Sequence, residues 1–178
     1  MSVRLPEKNI HIGEVAVHCE PVVIRTTLGS CVSACLYDPA IPVGGMNHFL
    51  LPQTGSKAST SPEARFGVHA MELLINEMMK LGADKKRIVA KGFGGANVIP
   101  GMSSPTVGEL NVAFLKRFLE TEKINLVSHH FGGICARQVY FYPHSGRAFV
   151  RKVCHETEKY TIQEEQNALA NTGEVTLF

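Results

Sequence analysis

The stretch from Thr26 to Pro52, TTLGSCVSACLYDPAIPVGGMNHFLLP, constrains this chain more than any other. Two extended runs, Val32 to Tyr37 and Gly44 to Leu51, flank the turn signal Asp38-Pro39. Read as a hairpin, they commit each side chain to one sheet face, because strand side chains alternate with period two. A two-residue Pro39-Ala40 loop opposes Asp38 to Ile41 and, carried down the ladder, Cys31 to His48. Directly opposed Cβ atoms lie ~4.5–5.5 Å apart, within reach of a thiol–imidazole hydrogen bond. A four-residue loop keeps the same parity, whereas an odd loop or one bulge breaks it. Asn47 takes the opposite face. Cys35 shares the Cys31 face but lies ~13 Å along the strand, too far for a disulfide.

The rest of the chain supplies more strands and two helices. Ile10 to Cys19 alternates as one strand, ended by Pro21, and Val22 to Arg25 begins another. Gln53 to Thr60 is a polar surface loop. Ser61 as N-cap and Pro62 at the first turn open a helix. Its apolar stripe is Phe66, Ala70, Met71, Leu74, Ile75, Met78 and Leu81, closed by Gly82. Arg87 to Phe93 is a strand entering Gly94-Gly95-Ala96-Asn97, which reads as a tight strand-to-loop turn ahead of a substrate cradle. Thr106 and Glu109 form a capping box for a second helix, buried through Val112, Phe114, Leu115, Phe118 and Leu119. Ile124 to His129 is a strand, and Arg137 to Tyr142 pairs with Arg147 to Val153 across Pro143-His144-Ser145-Gly146. Strands grouped in hairpins predict a mixed α/β (α+β) domain, a layered sandwich of mixed sheets with helices packed outside.

Composition narrows the function classes. With 178 residues, 44% hydrophobic and 19% charged, the chain fits one globular domain. A net charge of +2 without a dense Lys/Arg cluster gives no expectation of nucleic acid. No apolar run approaches the ~20 residues of a membrane span, and Met1 to Asn9 has no apolar secretory core. A cytoplasmic, uninserted protein is the expectation. Five cysteines without a C-x-x-C pair suggest neither a disulfide framework nor a zinc ribbon. His129 and His130, adjacent on a strand, point to opposite faces and do not share a metal. No metal or other cofactor is expected.

A cysteine and a histidine facing one another suit amide hydrolysis. A carboxamide is a weak electrophile, and the thiolate rather than the thiol attacks it. Imidazole handles the proton, and backbone N–H groups beside Gly29 and Ser30 can face the developing oxyanion. A hydroxyl from Thr26 or Thr27 can hold the imidazole N–H. Taken alone, the pair reads more readily as two satisfied core residues.

Longer motifs add to this. Ile12-Gly13-Glu14, Leu28-Gly29-Ser30-Cys31, Gly44-Gly45-Met46-Asn47-His48-Phe49, Ala70-Met71-Glu72-Leu73-Leu74, Phe93-Gly94-Gly95-Ala96-Asn97 and Ser145-Gly146-Arg147 occur in order. Through them the chain resembles the CheD family of chemoreceptor glutamine deamidases over about Ile10 to Val153. The resemblance implies a fold akin to bacterial toxin deamidases, with Cys31 as nucleophile, His48 as acid/base and an upstream threonine as third member, for which Thr26 is preferred over Thr27. It also implies chemoreceptor cytoplasmic helices as substrate and a CheC-type phosphatase as a partner, with the chain alone monomeric. The domain then spans 1–153, with 154–178 a polar tail outside the core. The rival reading is a noncatalytic adaptor that stimulates the phosphatase. Within the tail, Gln163-Glu164-Glu165-Gln166-Asn167-Ala168 looks like receptor modification sequence; a solvated acidic tail is the plainer reading, a weak pseudosubstrate that visits the Cys31 pocket the sharper one.

Overall fold

The computed structural model describes residues 4–52, 62–98, 101, 103–153 and 162–168. Its elements run β1 (Glu7–Asn9), β2 (Val15–His18), β3 (Val23–Leu28), β4 (Val32–Asp38), β5 (Val43–Asn47), α1 (Pro62–Lys80), β6 (Val89–Gly94), α2 (Val107–Thr121), β7 (Asn125–Phe131), β8 (Arg137–Tyr142) and β9 (Arg147–Lys152). A last short helix of about two turns, α3, covers 162–168. The strands form a four-stranded sheet, β1-β3-β8-β9, and a five-stranded sheet, β2-β5-β4-β6-β7. Both are mixed: β1–β3 and β6–β7 are parallel and the other neighbours antiparallel. The expected layered sandwich of mixed sheets is therefore present.

Two cores separate three layers. Between the sheets lie Ile24, Leu28, Cys31, Cys35, Met46, Val139 and Phe141. On the other face of the five-stranded sheet, Val32, Ala34 and Leu36 meet Met71, Leu74 and Met78 of α1 and Leu115 and Leu119 of α2. The alternation along β4 makes this possible, since odd residues face the partner sheet and even residues face the helices. Every β4 residue but Tyr37 is consequently buried.

The helices begin and end where their sequence signals lie. Thr106 caps α2 with its hydroxyl accepting the Glu109 N–H at 3.2 Å, and Glu109 returns the bond to the Thr106 N–H at 2.7 Å. Leu115 is fully buried, and truncating it to alanine would cost about 2–5 kcal/mol through the cavity left behind. Pro62 starts α1, while Ser61 and the Gln53 to Thr60 loop fall outside the described residues. Phe66 and Leu81, at either end of the α1 stripe, are 41% and 45% exposed, so only the middle of the stripe is core.

One strand is shorter than its alternation suggests. Of Ile10 to Cys19 only Val15–His18 is strand, as β2; β1 ends at Asn9, before this run, and belongs to the other sheet. The chain turns at 11–14, where the Glu14 N–H donates to the His11 carbonyl and the His11 N–H to the Glu14 carboxylate. Apolar alternation does not mark this turn, because Ile10 and Ala16, on either side of it, are both buried.

Candidate active site

The hairpin of β4 and β5 has a four-residue loop, Pro39-Ala40-Ile41-Pro42, with Asp38 opposite Val43 and Cys35 opposite Met46. The same register resumes at Val32 and Phe49. Extended one step, it sets Ser33 against His48 and makes Cys31 the diagonal neighbour of His48 rather than its direct opposite. The Asp38 carboxylate explains the wider turn. It accepts the N–H groups of Ala40 and Asp84 at 2.9 and 3.0 Å and the Arg87 guanidinium at 2.7 Å. The Arg87 cation and these donors hold the carboxyl down at about 2. Parity survives the shift of two, so Cys31, Cys35 and His48 share the face between the sheets. Asn47 points the other way, its amide donating to the Ala70 carbonyl on α1.

His48 is held in one orientation and one tautomer. The Thr26 hydroxyl donates its proton to the Ile10 carbonyl at 2.7 Å and stands 2.7 Å from His48 Nδ1. A hydroxyl has a single proton. Nδ1 must therefore carry the hydrogen of that second contact, which leaves Nε2 with a bare lone pair. That Nε2 is buried and has no hydrogen-bond partner. Burial, reinforced by the His11 charge, brings the imidazole down to about 3, so it is neutral. Thr26 thus faces His48 from β3 across the inter-sheet core, while Thr27 is the next residue along, on the alternate face of the strand.

Around Cys31 the backbone is oriented on both sides. Every carbonyl of the Gly29-Ser30-Cys31 turn has a fixed donor: Ala96 N–H to Gly29 and Gly95 N–H to Cys31, each at 2.8 Å, and Asn111 Nδ2 to Ser30 at 2.9 Å. With the carbonyls turned outward, the three N–H groups converge on one point. There they meet the Glu165 carboxylate of α3: Gly29 at 3.0 Å and Cys31 at 3.1 Å on Oε1, Ser30 at 2.9 Å on Oε2, with the Ser30 hydroxyl donating to Oε2 at 2.6 Å. A Cβ on Gly29 would stand 2.8 Å from Oε1, so the missing side chain is what admits the carboxylate. Gly94 has φ +108°, and a Cβ there would fall 2.1 Å from the Cys31 carbonyl. The Gly94-Gly95-Ala96-Asn97 segment is thus a turn whose N–H groups brace the thiol's own loop. Cys31 is fully buried, and burial first, then the Glu165 charge, pushes its thiol well up. In this state sulfur and imidazole are both uncharged, in contrast to the thiolate–imidazolium pair that simple proximity suggests.

One member of this arrangement, Asn111, was not singled out by sequence reasoning, and a second, Glu165, lies in the tail run whose sharper reading was a weak pseudosubstrate. Asn111 lies on the buried face of α2 beside Phe114 and Leu115, and a polar residue in such a stripe signals a buried hydrogen-bond duty. Glu165 belongs to the QEEQ run of the tail expected outside the core, but residues 162–168 pack against it: Glu165 is 1% exposed, and Ile162 and Ala168 lie against buried clusters. Among the described residues no cluster of three His, Cys, Asp or Glu is arranged for a metal. His129 stacks on Phe131, and His130 Nδ1 lies 2.7 Å from Arg137. Cys19, Cys31, Cys35 and Cys135 are free thiols.

The two-sheet sandwich thus buries a cysteine and a hydroxyl-tethered histidine beside a nest of backbone donors. The chain belongs to the CheD family, whose model, described as CheD chemotactic sensory transduction, matches residues 50–152. A probable chemoreceptor glutamine deamidase CheD of Xanthomonas campestris pv. campestris is 47% identical over 161 residues, covering 87% of this chain and 80% of that protein. One from a Caulobacter strain is 44% identical over 179 residues, covering 97% and 94%. Among solved structures, a Neisseria meningitidis protein of the DUF152 family overlays with a TM-score of 0.43 at 11% identity, over 72% of this chain and 63% of that one. No described helix is long and apolar enough to cross a membrane.

Proposed function

We infer that this protein is a chemoreceptor glutamine deamidase of bacterial chemotaxis, working through Cys31, His48 and Thr26. The observation that carries the reading is the tethered His48, with its Nδ1–H committed to Thr26 and its Nε2 lone pair bare on the face that Cys31 shares. Cys31 Sγ attacks the glutamine Cδ while its proton passes to Nε2. The carbonyl oxygen becomes an oxyanion held by the Gly29 and Cys31 N–H groups, each donor worth about 3 kcal/mol in a formed hole. His48 returns the proton to the departing nitrogen, and ammonia leaves a thioester. Water then attacks the thioester and gives its proton to His48. Collapse frees a glutamate carboxylate, and the thiol regains its hydrogen.

The catalytic domain in this reading is 1–153, a cytoplasmic monomer, with 154–178 as an appended tail and a CheC-type phosphatase as its partner. Incubation with a receptor cytoplasmic fragment should add ~1 Da at each converted glutamine, the difference between amide and acid. Cys31→Ala should abolish the gain. Unchanged conversion by Cys31→Ala would refute the mechanism, and phosphatase binding retained by that variant would separate the partner role from catalysis.

A further inference from the structure

The tail contributes a group that the reaction described above does not use. A buried carboxylate is costly unless its charge is met by donors. Among the described residues no cation lies within ion-pair range of Glu165, and four hydrogen bonds from the Cys31 turn meet it instead. Around this residue α3 is seated, not merely adjacent. Ile162 packs against Ala96, Val98 and Ala136, Ala168 joins the inter-sheet core, and Glu164 lies 3.6 Å from His11.

A glutamate side chain is the product of glutamine deamidation. Its Oε1 occupies the place of the oxyanion, between the Gly29 and Cys31 N–H groups. Its Oε2 occupies the place of the leaving nitrogen, and there it accepts both the Ser30 N–H and the Ser30 hydroxyl. An amide NH2 in that position would meet the Ser30 N–H donor to donor. The hole therefore prefers a carboxylate or an oxyanion over an unreacted amide, and Glu165 satisfies it better than a glutamine would.

We propose that α3 is a product mimic supplied in cis: Glu165 fills the oxyanion hole, closes off Cys31, and marks the pose in which a helix-borne glutamine of the substrate is received. The proposal rests on the deamidase reading of the same site. A receptor helix must displace α3 to reach the thiol, so the tail competes with substrate and does not alter the chemical step. Ser30 takes on a second role, its hydroxyl turning to accept from the amide nitrogen of a substrate and to donate to the carboxylate of a product.

The test compares the full chain with Glu165→Gln, Glu165→Ala and a chain ending at Val153, using iodoacetamide as probe of Cys31 and a receptor cytoplasmic fragment as substrate. Glu165→Gln and Glu165→Ala should each speed Cys31 alkylation by about tenfold or more, as expected when charge-assisted bonds that close a site are lost. Peptide mapping separates Cys31 from the other thiols. The same variants should lower the KM for the receptor fragment with kcat unchanged. Alkylation and KM that stay at the full-chain values in both point variants overturn the proposal, whether or not the truncated chain folds. So does a fall in kcat at constant KM, which would make α3 a structural brace. The deamidase reading fails differently: no variant, including the tail-less one, would convert receptor glutamines.

Discussion

Replacing Thr26 by valine removes one oxygen and almost no volume. That oxygen makes two buried contacts of 2.7 Å, one to the Ile10 carbonyl and one to His48 Nδ1. In Thr26→Val the Nδ1–H has no acceptor, and a buried donor left without one costs about 1–3 kcal/mol. The imidazole is then free to rotate or to shift its proton to Nε2, the atom that must be bare to take the thiol hydrogen. Converted at 1.36 kcal/mol per factor of ten, the same interval predicts a kcat lower by about 5- to 150-fold. The hydroxyl is a positioning group that touches no substrate atom, so KM for a receptor fragment should stay within about twofold. Thr26→Ser retains the oxygen and should recover most of the rate. Initial rates of glutamine conversion, followed by peptide mass, give both constants, and urea unfolding reports the accompanying loss of stability. If Thr26→Val turns over within about twofold of the parent chain, or if Thr26→Ser is as impaired as valine, the tautomer argument is wrong.

Other outcomes follow from the same coordinates. Gly94→Ala forces a Cβ onto the Cys31 carbonyl at a φ that disfavours side chains; it should cost at least about 2 kcal/mol in urea unfolding and most of the activity. Burial holds His48 at about 3, below the ~6.5 of an unfolded chain, so unfolding takes up a proton between these values. Stability should accordingly fall as pH drops below about 6.5, by up to roughly 1.4 kcal/mol per unit, and His48→Gln should flatten that slope in parallel urea titrations. Arg87→Met strips the buried Asp38 carboxylate of its cation. Because Arg87 is 41% exposed, the loss should be smaller than that of a fully buried pair. It should be visible as a lower midpoint in urea.

Much of the site was readable along the chain because strand parity is robust. Cys31 and His48 fall on one face for any even loop, so an error of two in register changed their spacing but not their side. Thr26 was legible only as a candidate beside Thr27, since alternation says nothing about which strand of a second sheet will lie opposite. The turn at 11–14 was hidden because the sequence alternation of Ile10 to Cys19 runs on through it. Asn111 was the costliest omission, and the run holding Glu165 was read first as a solvated tail, for one reason: each acts across a long sequence gap, where local pattern carries no distance information. The capping box, the α1 stripe and the β8–β9 hairpin, all local, appear where expected.

The nest at Gly29-Ser30-Cys31 is assembled from remote parts of the chain. Its braces come from the end of β6 and from α2, the latter 81 positions away from Ser30. During synthesis, then, a ribosome exposes the cysteine long before the segments that aim its amides have emerged. A half-made chain carries a sulfhydryl but no anion trap, so it is chemically dull towards side-chain amides until the sandwich has shut.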